Sequence, residues 1–181
     1  MKAFVQLMLS EGYDAVTVER VCEQADIGRS TFYLHFHSKE AILRESLAGP
    51  SSHLAALVDA DVSAETLRPL LEHFHQQRKI NRVGFTHPVR DMWARRLAEL
   101  IEPALASRAR AIRARPILPL AMVSLQIAEA QLSLIATWLA RHPNTPAATI
   151  AEALIGATQA IMAALLRGDQ RALLAKRPAS T

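Results

Sequence analysis

Arg29, Ser30, Tyr33 and Leu34 stand at i, i+1, i+4 and i+5, offsets that share one side of a helix. One arginine, a small hydroxyl and an aromatic on one outward face suit a helix laid in the major groove of DNA. Other chemical constellations are weaker. His73-Phe74-His75, with His87 further on, suggests a metal site, but residues at i and i+2 of a helix point apart and would not chelate together. Ser124 and Ser133 have no His/Asp partnership in the sequence, and no glycine-rich phosphate loop or nucleophile elbow is present. Neither an enzyme, nor a metal, nor a cofactor is expected. The run Arg108, Arg110, Arg113, Arg115 reads as a solvated helix end complementing the helix dipole.

Short elements must hold the outward face in place. Gly12 follows the apolar set Phe4, Val5, Met8 and Leu9 and fits a helix C-cap. Thr17 fits the N-cap of a second helix whose apolar face is Val18, Val21, Cys22 and Ala25. Asp26-Ile27-Gly28 makes a short turn, and a compact helix runs from Arg29 to His35. Ile27 and Phe32 are expected to face back onto the second helix, with Ala25 small enough for a close crossing. Ser38 caps the next helix, and Glu40 lies in its first turn, where a carboxylate complements the dipole. Two helices joined by a tight turn form a helix-turn-helix.

The stretches Glu11 to Val18, Val21 to Ala25, Ile27 to Phe36 and Ser38 to Leu43 resemble the TetR/AcrR family of repressors, most specifically through Thr31-Phe32-Tyr33-Leu34-His35-Phe36 and Ser38-Lys39-Glu40. The resemblance covers about a quarter of the chain strongly. It implies an all-α protein: an N-terminal three-helix helix-turn-helix domain over residues 1–48 and a helical ligand-sensing and dimerisation domain over 49–181. It also implies roles. Thr17 would touch a phosphate with its hydroxyl and the free N–H groups beside it. Gly28 would open the recognition helix, and Arg29 would read a base edge, guanine by preference. Ser30 and Thr31 would contact base edges or phosphate, Tyr33 and His35 the backbone, Leu34 a thymine methyl, and Lys39 a phosphate.

Three departures from the family stand out. Asp26 occupies a turn position usually held by glycine, and Gly28 replaces a serine-like cap. Met1 falls inside the first helix, where the family usually has a preceding turn and a basic arm, so a truncated or misassigned start is an expectation. Residues 1–48 carry five Lys or Arg against seven Asp or Glu, net −2, although the whole chain is +4. An alternative reading follows: a helical, dimeric small-molecule-binding protein with impaired DNA binding.

Half the 181 residues are apolar, which marks a folded chain. The lone Cys22 excludes a disulfide framework. No apolar run is expected to span a bilayer, because Leu118–Ala140 is interrupted by Gln126, Glu129 and Gln131. The N-terminus lacks a signal-peptide pattern, and a cytoplasmic protein is expected. Ala48-Gly49-Pro50-Ser51-Ser52 reads as a break and domain boundary. Beyond it, helices are expected at about 52–59, 65–82, 88–113 (kinked or split at Pro103), 118–141 and 147–166, with a frayed tail from Lys176. By the resemblance the last two helices form a homodimer interface, through a stripe of Ala121, Leu125, Ala128, Leu132, Ile135 and Leu139 and a small-residue face of Ala153, Ala157, Ala160 and Ala164; the same faces also fit an intramolecular core, and with two faces per helix both can hold. A largely apolar small-molecule effector would sit among the central helices, near Phe74, Phe85, Met92, Trp93, Met122 and Gln126. Its binding would favour a different separation of the two recognition helices and release operator DNA.

Overall fold

The computed structural model describes residues 1–59, 61–78 and 83–168. They form α1 (Lys2–Glu11), α2 (Val18–Ala25), α3 (Arg29–His35), α4 (Lys39–Ser46), α5 (Ala48–Ala55) followed by a 3₁₀ turn (Ala56–Val58), and α6 (Ala64–Gln76). Then come α7 (Val89–Ala111), β1 (Ala114–Pro116), α8 (Leu120–Arg141), α9 (Ala147–Leu165) and β2 (Leu166–Gly168). Among the described residues the fold is all-α apart from one short antiparallel ribbon, in which Ala114 pairs with Gly168 and Pro116 with Leu166. The sequence reading did not anticipate that ribbon.

Buried apolar residues separate into two clusters. The head cluster gathers Phe4, Leu7, Met8, Tyr13, Val16, Val21, Cys22, Phe32, Ile42 and Leu43, and takes in Val89 from the start of α7. The body cluster runs from Leu54 to Leu166, with α7 and α8 packed along each other and α9 lying on α6 and α8. Leu47 packs against both clusters.

Several expectations change. Ala48–Ser52 is not a break but the opening of α5. Pro50 lies in its first turn, where the missing N–H has no intrahelical partner to lose, and Ser51 is buried. Pro103 neither ends nor splits α7, which continues from Val89 to Ala111. Pro69 likewise lies inside α6. The expected sixth helix ends at Gln76 rather than Arg82, residues 79–82 and the tail from Lys176 lying outside the described residues. Helices α8 and α9 are both long and apolar enough, by length and composition, to cross a membrane. That corrects the expectation that no run reaches this length: the three polar residues do not outweigh the apolar ones around them. Here both helices contribute to the body core, and Glu129 of α8 accepts a hydrogen bond from Arg90 of α7.

Candidate nucleic-acid interface

Local signals fix the head in the expected order. Gly12 ends α1 with φ of 82°, and its N–H bonds the Met8 carbonyl. Thr17 Oγ1 accepts from the N–H of Arg20 at 3.3 Å, capping α2. Asp26 closes α2 in the left-handed region, at φ 52° and ψ 51°. Aspartate tolerates that region better than most residues, but glycine adopts it freely. Replacing Asp26 with glycine should therefore raise head stability by about 0.5–1 kcal/mol, read as a higher denaturant midpoint at unchanged m value. A lower midpoint would mean that the carboxylate supplies a compensating bond.

Gly28 precedes α3 in extended geometry, with φ of −72° and no side-chain cap. Ser38 Oγ caps α4 by accepting from the N–H of Ala41 at 3.3 Å. Tyr13 ties the two ends of the head together. Its hydroxyl donates to Glu40 Oε1 at 3.2 Å, and Lys39 Nζ lies 4.5 Å above its ring. Burial, followed by the charge of Glu40, holds the Tyr13 phenol well above its ordinary range and so protonated. Glu40 is held below the usual carboxylate range, chiefly by a hydrogen bond from Ser38.

On α3 the two sides differ sharply. Phe32 is 2% exposed and sits in the head core, with Phe36 half-buried beside it. Arg29, Ser30, Thr31, Tyr33, Leu34 and His35 are all exposed. Leu34 is 81% exposed and Tyr33 48%, the Tyr33 ring standing edge-on to Phe32 at 5.3 Å. A leucine this exposed beside a half-exposed tyrosine on a seven-residue helix leaves most of this face open to something outside the chain. The helix spans roughly 10 Å at 1.5 Å per residue, within the roughly 12 Å width of a major groove.

Two expected packing contacts are absent. Ile27 is 39% exposed and Ala25 is exposed, so neither lies in the α2–α3 crossing. Val21 and Cys22 supply the buried side of α2 instead.

The structure adds Glu19, which sequence reasoning missed. Its carboxylate pairs with Arg29 across the α2–α3 turn, and it lines an open hollow with Glu23 and Asp26. Glu19 stands ten residues before Arg29, so only the folded turn brings them together. A base edge or phosphate taken by Arg29 would have to displace this carboxylate from the guanidinium. Because an exposed ion pair is worth about 0.2–1 kcal/mol, Glu19→Gln should tighten duplex binding by up to about fivefold. Equal or weaker binding in a titration would show that Glu19 orients Arg29 instead of competing for it. Lys39 is also engaged: Nζ donates to the carbonyls of Tyr13 at 3.1 Å and Asp14 at 3.4 Å.

The expected effector-site residues do not assemble into one place. Phe74, Phe85 and Trp93 form an aromatic cluster with ring centres 5.0–6.1 Å apart. Met92 packs against the head cluster instead. Met122 is 56% exposed and Gln126 is exposed, both on the outer side of α8. The buried glutamine is Gln131. Its Nε2 donates to Thr158 Oγ1 at 3.0 Å and to the Leu54 carbonyl at 3.3 Å, while its Oε1 is buried without a partner. Its signal was legible in phase: Ile127, Gln131 and Ile135 recur every four residues on the buried side of α8, and Gln126 does not. Among the described residues no group of three or more His, Cys, Asp or Glu could hold a metal ion.

The expected dimer surfaces divide in the same way. Ala128, Leu132, Ile135 and Leu139 are buried within the chain's own core, leaving Ala121 and Leu125 of that stripe exposed. On α9, Ala153, Ala157, Ala160 and Ala164 are all exposed.

Residues 1–46 match the family model of bacterial regulatory proteins of the tetR family. The chain is 24% identical over 94 residues to the uncharacterized HTH-type transcriptional regulator YvkB of Bacillus subtilis (strain 168), covering 49% of this chain and 50% of that one. It is 27% identical over 67 residues to the uncharacterized HTH-type transcriptional regulator YdeS of the same organism, covering 37% and 34%. The match thus spans half or less of the length of these relatives. Among solved structures, the fold is similar to a TetR transcriptional regulator from Streptococcus agalactiae 2603V, with a TM-score of 0.53 and 22% identity over 87% of this chain and 89% of that one. It is also similar to Thermus thermophilus FadR, a TetR family transcriptional repressor solved in complex with lauroyl-CoA, with a TM-score of 0.53 and 21% identity over 99% and 97%.

Proposed function

We propose that the chain, whose residues 1–46 match the tetR family model, is a cytoplasmic, dimeric transcriptional regulator that binds operator DNA through α3 and leaves it on binding a small molecule. The observation that carries this reading is the two-sidedness of α3: Phe32 anchors the helix in the head core while Arg29, Tyr33 and Leu34 stand exposed on its outward side. Residues 1–48 act as the reading head, with Thr17, Gly28, Ser30, Thr31, His35 and Lys39 placing it on the phosphates and base edges. Residues 49–181 form the dimerising and sensing part. The exposed alanines of α9, with Leu125 and Met122 of α8, meet their two-fold mates across the dimer. An effector of largely apolar character enters beside the Phe74, Phe85 and Trp93 rings and offers a donor to Gln131 Oε1. The lauroyl-CoA held by the Thermus thermophilus protein gives one precedent for an effector with a long apolar part.

Selection from a random duplex pool tests the reading. The expected product is an inverted repeat whose half-sites lie about one helical turn apart, bound by two protomers. A second reading, a dimeric small-molecule binder with impaired DNA binding, is favoured by one observation: Arg29 is ion-paired and Lys39 is tied to backbone carbonyls within the head. A pool that yields no enriched sequence supports that reading and removes the first.

A further inference from the structure

Where head meets body, a cleft of about 180 Å³ opens between α4 and α7, lined by Glu40, Leu43, Arg44, Leu47, Met92, Arg95, Arg96 and Glu99. We propose that this cleft binds a small organic carboxylate, with Arg44 of the head and Arg95 and Arg96 of the body closing on the anion. Three guanidiniums face two carboxylates there, and both carboxylates are already engaged: Glu40 with Tyr13, and Glu99 with Arg96 Nη1 at 3.1 Å. Arg44 and Arg95 have no hydrogen-bond or ion-pair partner among the described residues, and the buried Nε of Arg96 has none either. The guanidiniums therefore have donors to spare, and a guanidinium binds a carboxylate in a two-pronged geometry that a lysine cannot match. The floor decides between an organic and an inorganic anion. Leu47 and Met92, both half-buried, offer apolar surface directly beside the charges over the buried Leu43, which a short alkyl chain covers and a phosphate does not.

The position gives the site a consequence. Val89 and Met92 of α7 already pack against the head cluster, so α7 is the element on which the head rests. An anion bridging Arg44 to Arg95 adds a contact that exists in only one head orientation, and it shifts the population toward that orientation. The effect on DNA rests on the regulator reading; the binding itself does not.

The test uses the full chain, with hexanoate, hexylammonium and inorganic phosphate as probes, and compares wild type with the double variant R44Q/R95Q. Both substituted side chains are exposed, so the variant keeps its core. Calorimetric titration without DNA should show hexanoate binding the wild type, no binding of hexylammonium, and hexanoate binding weakened about tenfold or more in the variant. Thermal unfolding should show a rise with hexanoate in the wild type alone. Equal responses of the two proteins, or hexylammonium matching hexanoate, overturns the site. Phosphate matching hexanoate overturns its assignment to an organic anion. Hexanoate should then move the DNA titration midpoint of the wild type and leave that of the variant in place. Binding without any such movement overturns the coupling. Failure of both proteins to bind any duplex, with the calorimetric difference intact, counts against the regulator reading and leaves the anion site standing.

Discussion

Arg29→Ala is expected to weaken specific operator binding by about 1–3 kcal/mol, roughly ten- to a hundredfold, and to relax the base preference at one position of each half-site. The side chain is exposed at the first position of α3 and, among the described residues, pairs with the half-exposed Glu19. Its removal should therefore leave thermal stability almost unchanged. The variant separates reading from folding: stability stays, specificity goes. It also leaves the Glu19 carboxylate unneutralised near the phosphates, which adds to the loss on every sequence. A titration against the preferred duplex and a scrambled one distinguishes the two contributions. If affinity and preference both survive, α3 does not read bases through this arginine, and the assignment of the outward face is wrong.

Phe32→Ala, on the opposite side of the same helix, should act through the fold. Phe32 is 2% exposed among Phe4, Val21, Cys22, Ile42 and Leu43 and stands 6.0 Å from the Phe36 ring. Truncating a buried phenylalanine costs about 3–5 kcal/mol, a large part of what a small domain has. The head core is separate from the body core, with Leu47 and Val89 at the junction, so the loss should be local. Hydrogen exchange should show residues 1–46 losing protection while α8 and α9 keep theirs, and DNA binding should vanish for all sequences. Uniform loss of protection through the body would show that head and body unfold as one unit.

The head was legible because its punctuation is local. Gly12, Thr17, Gly28 and Ser38 each sit at a helix end for a backbone reason that needs no knowledge of the rest of the chain, and α3 runs from Arg29 to His35 as read. Position 26 was legible too, since aspartate is among the few residues that accept a left-handed turn. What failed depended on tertiary context. Ala48 to Ser52 carries the letters of a loop, yet burial of Ser51, Leu54 and Ala55 makes it a helix. Pro103 carries the letter of a break, yet Ile101 and Leu105 on either side are fully buried and α7 is not split there. The apolar stripe of α8 reads both as a partner surface and as intramolecular core, because one sequence cannot say which of two apolar faces its own core takes. The structure gives Ala128, Leu132, Ile135 and Leu139 to the intramolecular core and leaves α9's alanines outward. Of the residues expected around an effector, Phe74, Phe85 and Trp93 come together in one aromatic cluster, while Met122 and Gln126 lie exposed on α8. The Glu19–Arg29 pair was hidden because it depends on how the turn at Asp26 brings two helices together.

The central claim is sequence-specific DNA binding by the outward face of α3, and fluorescence anisotropy tests it most directly. The purified chain is titrated onto labelled duplex from upstream of its own gene, and onto scrambled duplex of the same composition, across a salt series. The account predicts a preference for the upstream duplex of at least about a hundredfold, an affinity that falls linearly in log–log form with salt, and two protomers per site. Equal affinity for the two duplexes at every salt concentration would contradict it.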